Sequence, residues 1–247
     1  MKFSLVFSII FLFVFSTFSN DFDVPERADS SEKIFRPAQI IVPAALITAG
    51  AIIMADGRLD NRIEDAMAPR RTGPYNFDSF LQYAPHLSLY GFSLFGVEAK
   101  HSYGERTLLL TTSGLFVLTA VATKHIVKHP RPNTGTKNAW PSGHTTTAFW
   151  GAELVRREYP VWCGVIAYTA ATTVGFMRIY NGRHWFGDVV AGAGWGILSV
   201  NAAYWLLPAM RNILPSSRRE NADSPQSVSI SPYFDGNNAG LFLTISL

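Results

Sequence analysis

Charge-free stretches of near bilayer-spanning length recur along this chain, and they restrict its possible folds more than any other feature. They cover residues 37–55, 79–97, 107–123, 159–177 and 189–210. Hydrocarbon offers the backbone no hydrogen-bond partners, so a span of about 20 apolar residues must satisfy its own N–H and C=O groups as a helix. A sixth helix is expected over residues 144–157, closed by Arg156, Arg157 and Pro160. Gly192, Gly194 and Gly196 suit the close approach of neighbouring helices. The composition agrees: only 16% of the 247 residues are charged, too little for the surface of an ordinary soluble protein. The net charge of +3 is mild, and no nucleic-acid-binding module is recognisable. Cys163 is the single cysteine, which excludes an internal disulfide and a cysteine-built zinc site.

The chain ends differ in character. Lys2 precedes an uncharged apolar run over residues 3–18, and Thr17 and Ser19 stand at the small-residue positions before a cut ahead of Asn20. Residues 1–19 therefore read as a signal peptide or an anchor. The helical bundle is expected over 37–210, and 211–247 form a polar linker and a β-like tail. There, Val228 to Ser231 and Leu241 to Leu247 alternate apolar with polar around Asp235-Gly236, a hairpin pattern. Residues 57–78 mix Arg58, Arg62, Arg70 and Arg71 with Asp60, Glu64 and Asp65. They read as an amphipathic interfacial helix or a solvated loop, with no chemical role assigned.

Three short clusters carry the chemistry. The first runs from Lys124 through Arg131 to Pro132, directly after an apolar run. Arginine grips phosphate oxygens with paired hydrogen bonds and lysine adds a point charge; a basic loop attracted to anionic lipid fits Lys128 and Lys137. The second, Pro141-Ser142-Gly143-His144, opens a helix. Free amides and the positive dipole end favour an anion there, and His144 is placed to protonate a leaving group; an ordinary helix-starting turn has the same residues. In the third, Arg178 precedes His184, and Asp188 follows His184 by four residues. At that spacing a helix puts His184 and Asp188 on one face. The carboxylate can then orient the imidazole as a nucleophile, or the two can form a structural pair capping the helix.

Taken together and in this order, the clusters resemble the type 2 phosphatidic acid phosphatase superfamily, with its signatures K-x6-R-P, P-S-G-H and S-R-x5-H-x3-D. The resemblance spans roughly residues 37–210, and Met177 stands where the family usually has serine. It implies an all-α, six-helix membrane bundle with a short β-hairpin-like tail outside it. It also implies a metal-independent phosphatase without cofactor. Lys124, Arg131, Arg178, Ser142 and Gly143 would hold the phosphate. His184, oriented by Asp188, would attack phosphorus, and His144 would protonate the leaving group and then activate water. His86, His101, His125 and His129 fall outside the motifs and read as interfacial or solvated.

The implied partners are the bilayer and a lipid phosphate, with lipid A, undecaprenyl pyrophosphate and phosphatidylglycerol phosphate as family candidates. The implied location is a bacterial inner membrane with the site facing the periplasm, although the loop charges do not fix the orientation. Two rival readings are a vanadium-dependent haloperoxidase, which shares the three clusters, and a non-catalytic lipid-binding protein. Vanadate separates the enzymes: it inhibits a phosphatase, and it gives a haloperoxidase bromide oxidation with peroxide.

Overall fold

A computed structural model describes residues 36–73, 75–213, 227–234 and 239–246. The leader at 1–19 and most of the polar linker lie outside the described residues. The chain divides into two compact units, Met1–Leu207 and Pro208–Leu247.

The helices, in chain order, are α1 (Ala38–Asp56), α2 (Arg58–Met67), α3 (Asp78–Leu81), α4 (Ala84–Leu94), α5 (Tyr103–Val127), α6 (Gly143–Glu158), α7 (Val161–Tyr180) and α8 (Phe186–Ile213). A 3-10 turn follows α2 at Ala68–Arg70. The described residues thus hold eight α-helices where six are expected from the sequence. Gly57 ends α1 in the left-handed conformation, φ 66°, and the chain restarts at once as α2. The 79–97 run is not one helix: α3 stops at Leu81 and α4 begins at Ala84. Pro85 in the first turn of α4 explains the break, because it lacks the N–H that a continuous helix would need there. The 11 residues of α4 reach only about 16 Å, short of a bilayer core.

Among the described residues, three helices are long and apolar enough to cross a membrane: α1, α5 and, over Phe186–Arg211, α8. A capping box starts α5, with Glu105 N–H donating to Ser102 Oγ and Ser102 N–H to Glu105 Oε2, both at 3.3 Å. Its other end turns at Lys128 in the left-handed region, φ 50°.

The core of the first unit is built around α6, which packs most extensively on α7 and then on α4 and α5. On α8, glycines bring it against two partners at once. A Cβ on Gly192 or Gly196 would lie 2.7 Å from Ser142 O or 2.6 Å from Thr146 O, so this face meets the backbone of α6 and the turn before it. A Cβ on Gly187 or Gly194 would lie 2.8 Å from Gly50 O or 2.6 Å from Pro43 O, both on α1. Gly196→Val is therefore expected to push α8 off α6. Overpacking of this kind costs about 1–3 kcal/mol, read as a lower Tm in detergent; an unchanged Tm would show that the two backbones are not in contact.

In the second unit, β1 (Ser227–Phe234) and β2 (Ala239–Ser246) pair antiparallel. The register sets Val228 opposite Ile245, Ile230 opposite Leu243 and Pro232 opposite Leu241.

Candidate active site

Local chain direction brings the three clusters together. After α5, the 128–142 loop is closed by Ala139 N–H to His129 O at 2.9 Å and turns through Gly135, φ 68°. It is tied to the α7–α8 connection by Asn133 N–H to Gly182 O at 3.2 Å and by Trp185 Nε1–H to Pro130 O at 2.7 Å. Ser142 N–H donates to the Asp188 carbonyl at 2.9 Å, which joins the start of α6 to the start of α8.

Within this frame Lys124 Nζ donates to Asn138 O at 3.1 Å and also to Pro141 O. Its stem lies beside the next turn, since a Cβ on Gly143 would be 3.9 Å from Lys124 Cε. Arg131 Nε donates to Asn138 Oδ1 at 2.7 Å. Burial, followed by the charges of Arg178 and Arg183, pushes the Arg131 guanidinium below its ordinary pKa, with Asp188 opposing. That repulsion marks a place where cations converge, with Asp188 and the Asp78 partner of Arg178 as the acidic groups beside them.

Ser142 caps α6 from a fully buried position, and its Oγ accepts from Thr145 Oγ1 at 2.9 Å. The first intrahelical bond is Thr146 N–H to Ser142 O, at 2.9 Å. The amides of Gly143, His144 and Thr145 precede it, and such first-turn N–H groups are the anion-binding end of a helix. Burial, then the charge of Arg178, pushes the half-buried His144 imidazole down to about 4, with Asp78 opposing and Arg131 and Arg183 adding to the shift; a phosphate anion bound among these cations would offset them.

His184 and Asp188 are both buried, with His184 Nδ1 3.6 Å from Asp188 Oδ2. That separation is slightly longer than a hydrogen bond. His184 Nδ1 has no hydrogen-bond partner among the described residues. The carboxylate has other partners: Oδ2 accepts from Trp185 N–H at 2.9 Å, and His129 Nδ1 lies 3.2 Å from Oδ1. Asp188 is the third residue of α8 and reaches back to the amide that precedes the helix, so it caps α8 as well as facing His184. Burial holds His184 at about 4, below its ordinary 6.5; Asp188 opposes that shift and Lys124 and Arg131 reinforce it.

Three contributors escape a reading by motif. His129, expected to be interfacial or solvated, instead faces Asp188. Asp78, on α3, binds Arg178: NH1 to Oδ2 is 2.6 Å, with both side chains buried. Asp60, on α2, accepts from Gly187 N–H at 2.9 Å, and burial raises its carboxyl above the ordinary value. The same linker supplies Arg71, which pairs with Glu64 at 2.6 Å and donates to Tyr180 O at 2.6 Å. Residues 57–78 are thus a buttress for the 178–188 segment, where the sequence suggested no role. His86 and His101 also differ from expectation: His86 packs edge-on against Trp150, and His101 pairs with Glu158 at 2.8 Å. Only distance along the chain hid these contacts, since Asp78 and Arg178 lie 100 residues apart. Among the described residues, no group of three or more His, Cys, Asp or Glu side chains is arranged to hold a metal ion.

Helices of membrane-spanning length thus carry cationic side chains near a buried imidazole–carboxylate pair. Residues 106–211, which contain all three clusters, match the model of the PAP2 superfamily. The chain is 32% identical over 164 residues to the lipid A 1-phosphatase of Porphyromonas gingivalis, covering 62% of this chain and 37% of that protein. It is 35% identical over 63 residues to the undecaprenyl-diphosphatase of Sulfolobus acidocaldarius, covering 26% and 29%. The chain therefore spans only about a third of the length of these relatives. Among solved structures it is similar to Aquifex aeolicus LpxE, with TM-score 0.43, 21% identity, and 56% of this chain and 92% of that one covered. A PAP2-type phosphatidylglycerolphosphate phosphatase from Bacillus subtilis gives TM-score 0.45 at 21% identity, covering 71% and 98%.

Proposed function

We propose that this protein is a lipid phosphate phosphatase that works through a phosphohistidine at His184, without a metal. The observation that carries the reading is the convergence of Lys124, Arg131 and Arg178 with the free amides of α6 around His184. Fixed positive charge aimed at the phosphoryl oxygens is where most of the acceleration in phosphoryl transfer comes from. In this mechanism Lys124, Arg131, Arg178 and the Gly143 amide bind the phosphate, and Ser142 sets the turn that presents that amide. The Nε2 lone pair of His184 attacks phosphorus as the ester P–O bond breaks, and His144 gives its proton to the departing oxygen. Water then attacks the phosphohistidine, His144 takes the water proton, and the P–N bond breaks to release phosphate. Asp188 orients His184 and stabilises the positive charge it carries while phosphorylated.

For the substrate we favour a phosphorylated lipid headgroup, with lipid A placed first because the relative with the longest match is a lipid A 1-phosphatase. Undecaprenyl pyrophosphate and phosphatidylglycerol phosphate are the other candidates. Phosphate release from these three lipids in detergent tests the reading: turnover of at least one is expected, and release from none would overturn it. We place the protein in a bacterial inner membrane with the site on the periplasmic side. A reporter fused after Thr136 should then be active as a periplasmic fusion, and activity only as a cytoplasmic fusion would reverse the orientation.

The burial of His184 sets a pH expectation. A neutral imidazole is the attacking form, and His184 stays neutral down to about pH 4. Its contribution to the acid limb of kcat/KM should therefore fall near 4, and an acid limb near 6.5 would count against a buried nucleophile. The linked stability has a definite sign. Between about 6.5 and about 4 the unfolded chain takes up a proton that folded His184 refuses, so stability falls as pH drops through that window.

A further inference from the structure

Next to the candidate active site, at the C-terminal end of α5, a second pocket of about 340 Å³ is lined by Lys124, His125, Lys128, Lys137 and Asn138. No acidic side chain lines it among the described residues. Two of the five lining residues face the active site, with Lys124 on the Asn138 and Pro141 carbonyls and Asn138 Oδ1 on Arg131. The other three are different. The side chains of His125, Lys128 and Lys137 are exposed and have no hydrogen bond or ion pair among the described residues. Lys128 also occupies a left-handed position, φ 50°, which usually favours glycine. A cation is thus kept at the mouth of the pocket at some conformational cost.

The helix leading to this pocket carries an apolar face. Leu115, Leu118 and Ile126 are 67%, 59% and 78% exposed, and their spacing puts them on one side of α5. As α5 is long and apolar enough to cross a bilayer, exposed leucines and isoleucine there suit acyl chains. His125 adjoins Ile126, and Lys128 closes the helix directly after that face ends. An acyl chain lying along this face would bring its headgroup to three cationic or N–H-bearing side chains that no group among the described residues satisfies.

We propose that this pocket binds the phosphate of a neighbouring anionic phospholipid, a headgroup distinct from the one hydrolysed at His184. Charge complementarity and the apolar approach together select this occupant: a phosphate ester anion on a diacyl lipid. The inference goes beyond the hydrolytic reading and survives its failure, because it needs His125, Lys128 and Lys137 and not the nucleophile.

The test is a binding titration of the full chain, purified in a neutral detergent, with fluorescent phosphatidylglycerol as the probe and fluorescent phosphatidylcholine as the zwitterionic control. Removing both charges in K128Q/K137Q is expected to weaken phosphatidylglycerol binding about 30-fold, from ~1 kcal/mol for each lysine near an anionic headgroup. Phosphatidylcholine binding should stay the same. His184→Ala should bind the probe as the parent protein does, even where it abolishes hydrolysis. A matched Tm for K128Q/K137Q checks that the exposed substitutions leave the fold intact. Three results would overturn the proposal. The double variant could bind phosphatidylglycerol undiminished. Arg131→Gln could weaken probe binding as severely as K128Q/K137Q does, which would put the lipid at His184. Or K128Q/K137Q could lose turnover of a soluble phosphate monoester as severely as it loses probe binding, which would make the pocket part of the reaction site.

Discussion

Replacing His184 by alanine is expected, on the proposed mechanism, to lower kcat by at least about 10⁴-fold, as removal of an attacking group does in covalent enzymes. Lys124, Arg131 and Arg178 would still bind the phosphate, so KM should change far less than kcat. The reason is geometric. The His184 ring is buried beside Asp188 and within the field of Lys124 and Arg131, and water cannot take up that position with the same nucleophilicity. The measurement is phosphate release from a lipid phosphate, paired with a search for acid-labile phosphoprotein after rapid quenching. The parent protein should trap label on histidine and His184→Ala should not. Substantial residual turnover in a folded variant would sink the assignment.

The second large effect is on stability and comes from a residue outside the motifs. Asp78→Ala removes the carboxylate that holds Arg178 at 2.6 Å. Arg178 is only 6% exposed, and its Nε already has no partner among the described residues. Breaking a buried ion pair leaves one charge without compensation, which costs about 3–5 kcal/mol. Tm in detergent should fall accordingly, and activity should fall with it because Arg178 is no longer aimed. The double variant Asp78→Ala/Arg178→Met separates the causes, since removal of both charges should recover much of the lost stability while leaving the protein inactive. Equal Tm values for the single and double variants would mean that the pair is not what stabilises this contact.

The motif positions were legible because their chemistry is local. The Lys124 to Pro132 stride, the Pro141 to His144 turn and the Arg178, His184, Asp188 spacing are properties of short segments. The fold brings the three segments into contact, with Lys124 on the Pro141 carbonyl and Ser142 N–H on that of Asp188; their catalytic roles belong to the function proposed above. Boundaries were less legible. The charge-free 79–97 run looks continuous by composition, yet Pro85 divides it into α3 and α4. Residues 57–78 looked solvated because hydropathy cannot distinguish a charge facing water from one facing a buried partner. Asp60, Arg71 and Asp78 each meet groups beyond residue 177. His129 differs from expectation for a similar reason, since it is not one of the motif positions between Lys124 and Pro132 yet contacts the carboxylate of the third cluster.

The sequence by itself determined the helical class and the set of groups that phosphate chemistry would need. Those depend on composition, periodicity and spacing within a few turns of chain. Only the tertiary structure decided which charges are compensated. It gave Arg178 to Asp78, Gly187 to Asp60 and Asp188 to His129, and it left His125, Lys128 and Lys137 without protein partners among the described residues. Pairing over 59 to 127 residues of chain follows from how α2, α3, α7 and α8 pack. Burial then makes each pairing costly to break, and no local pattern records it.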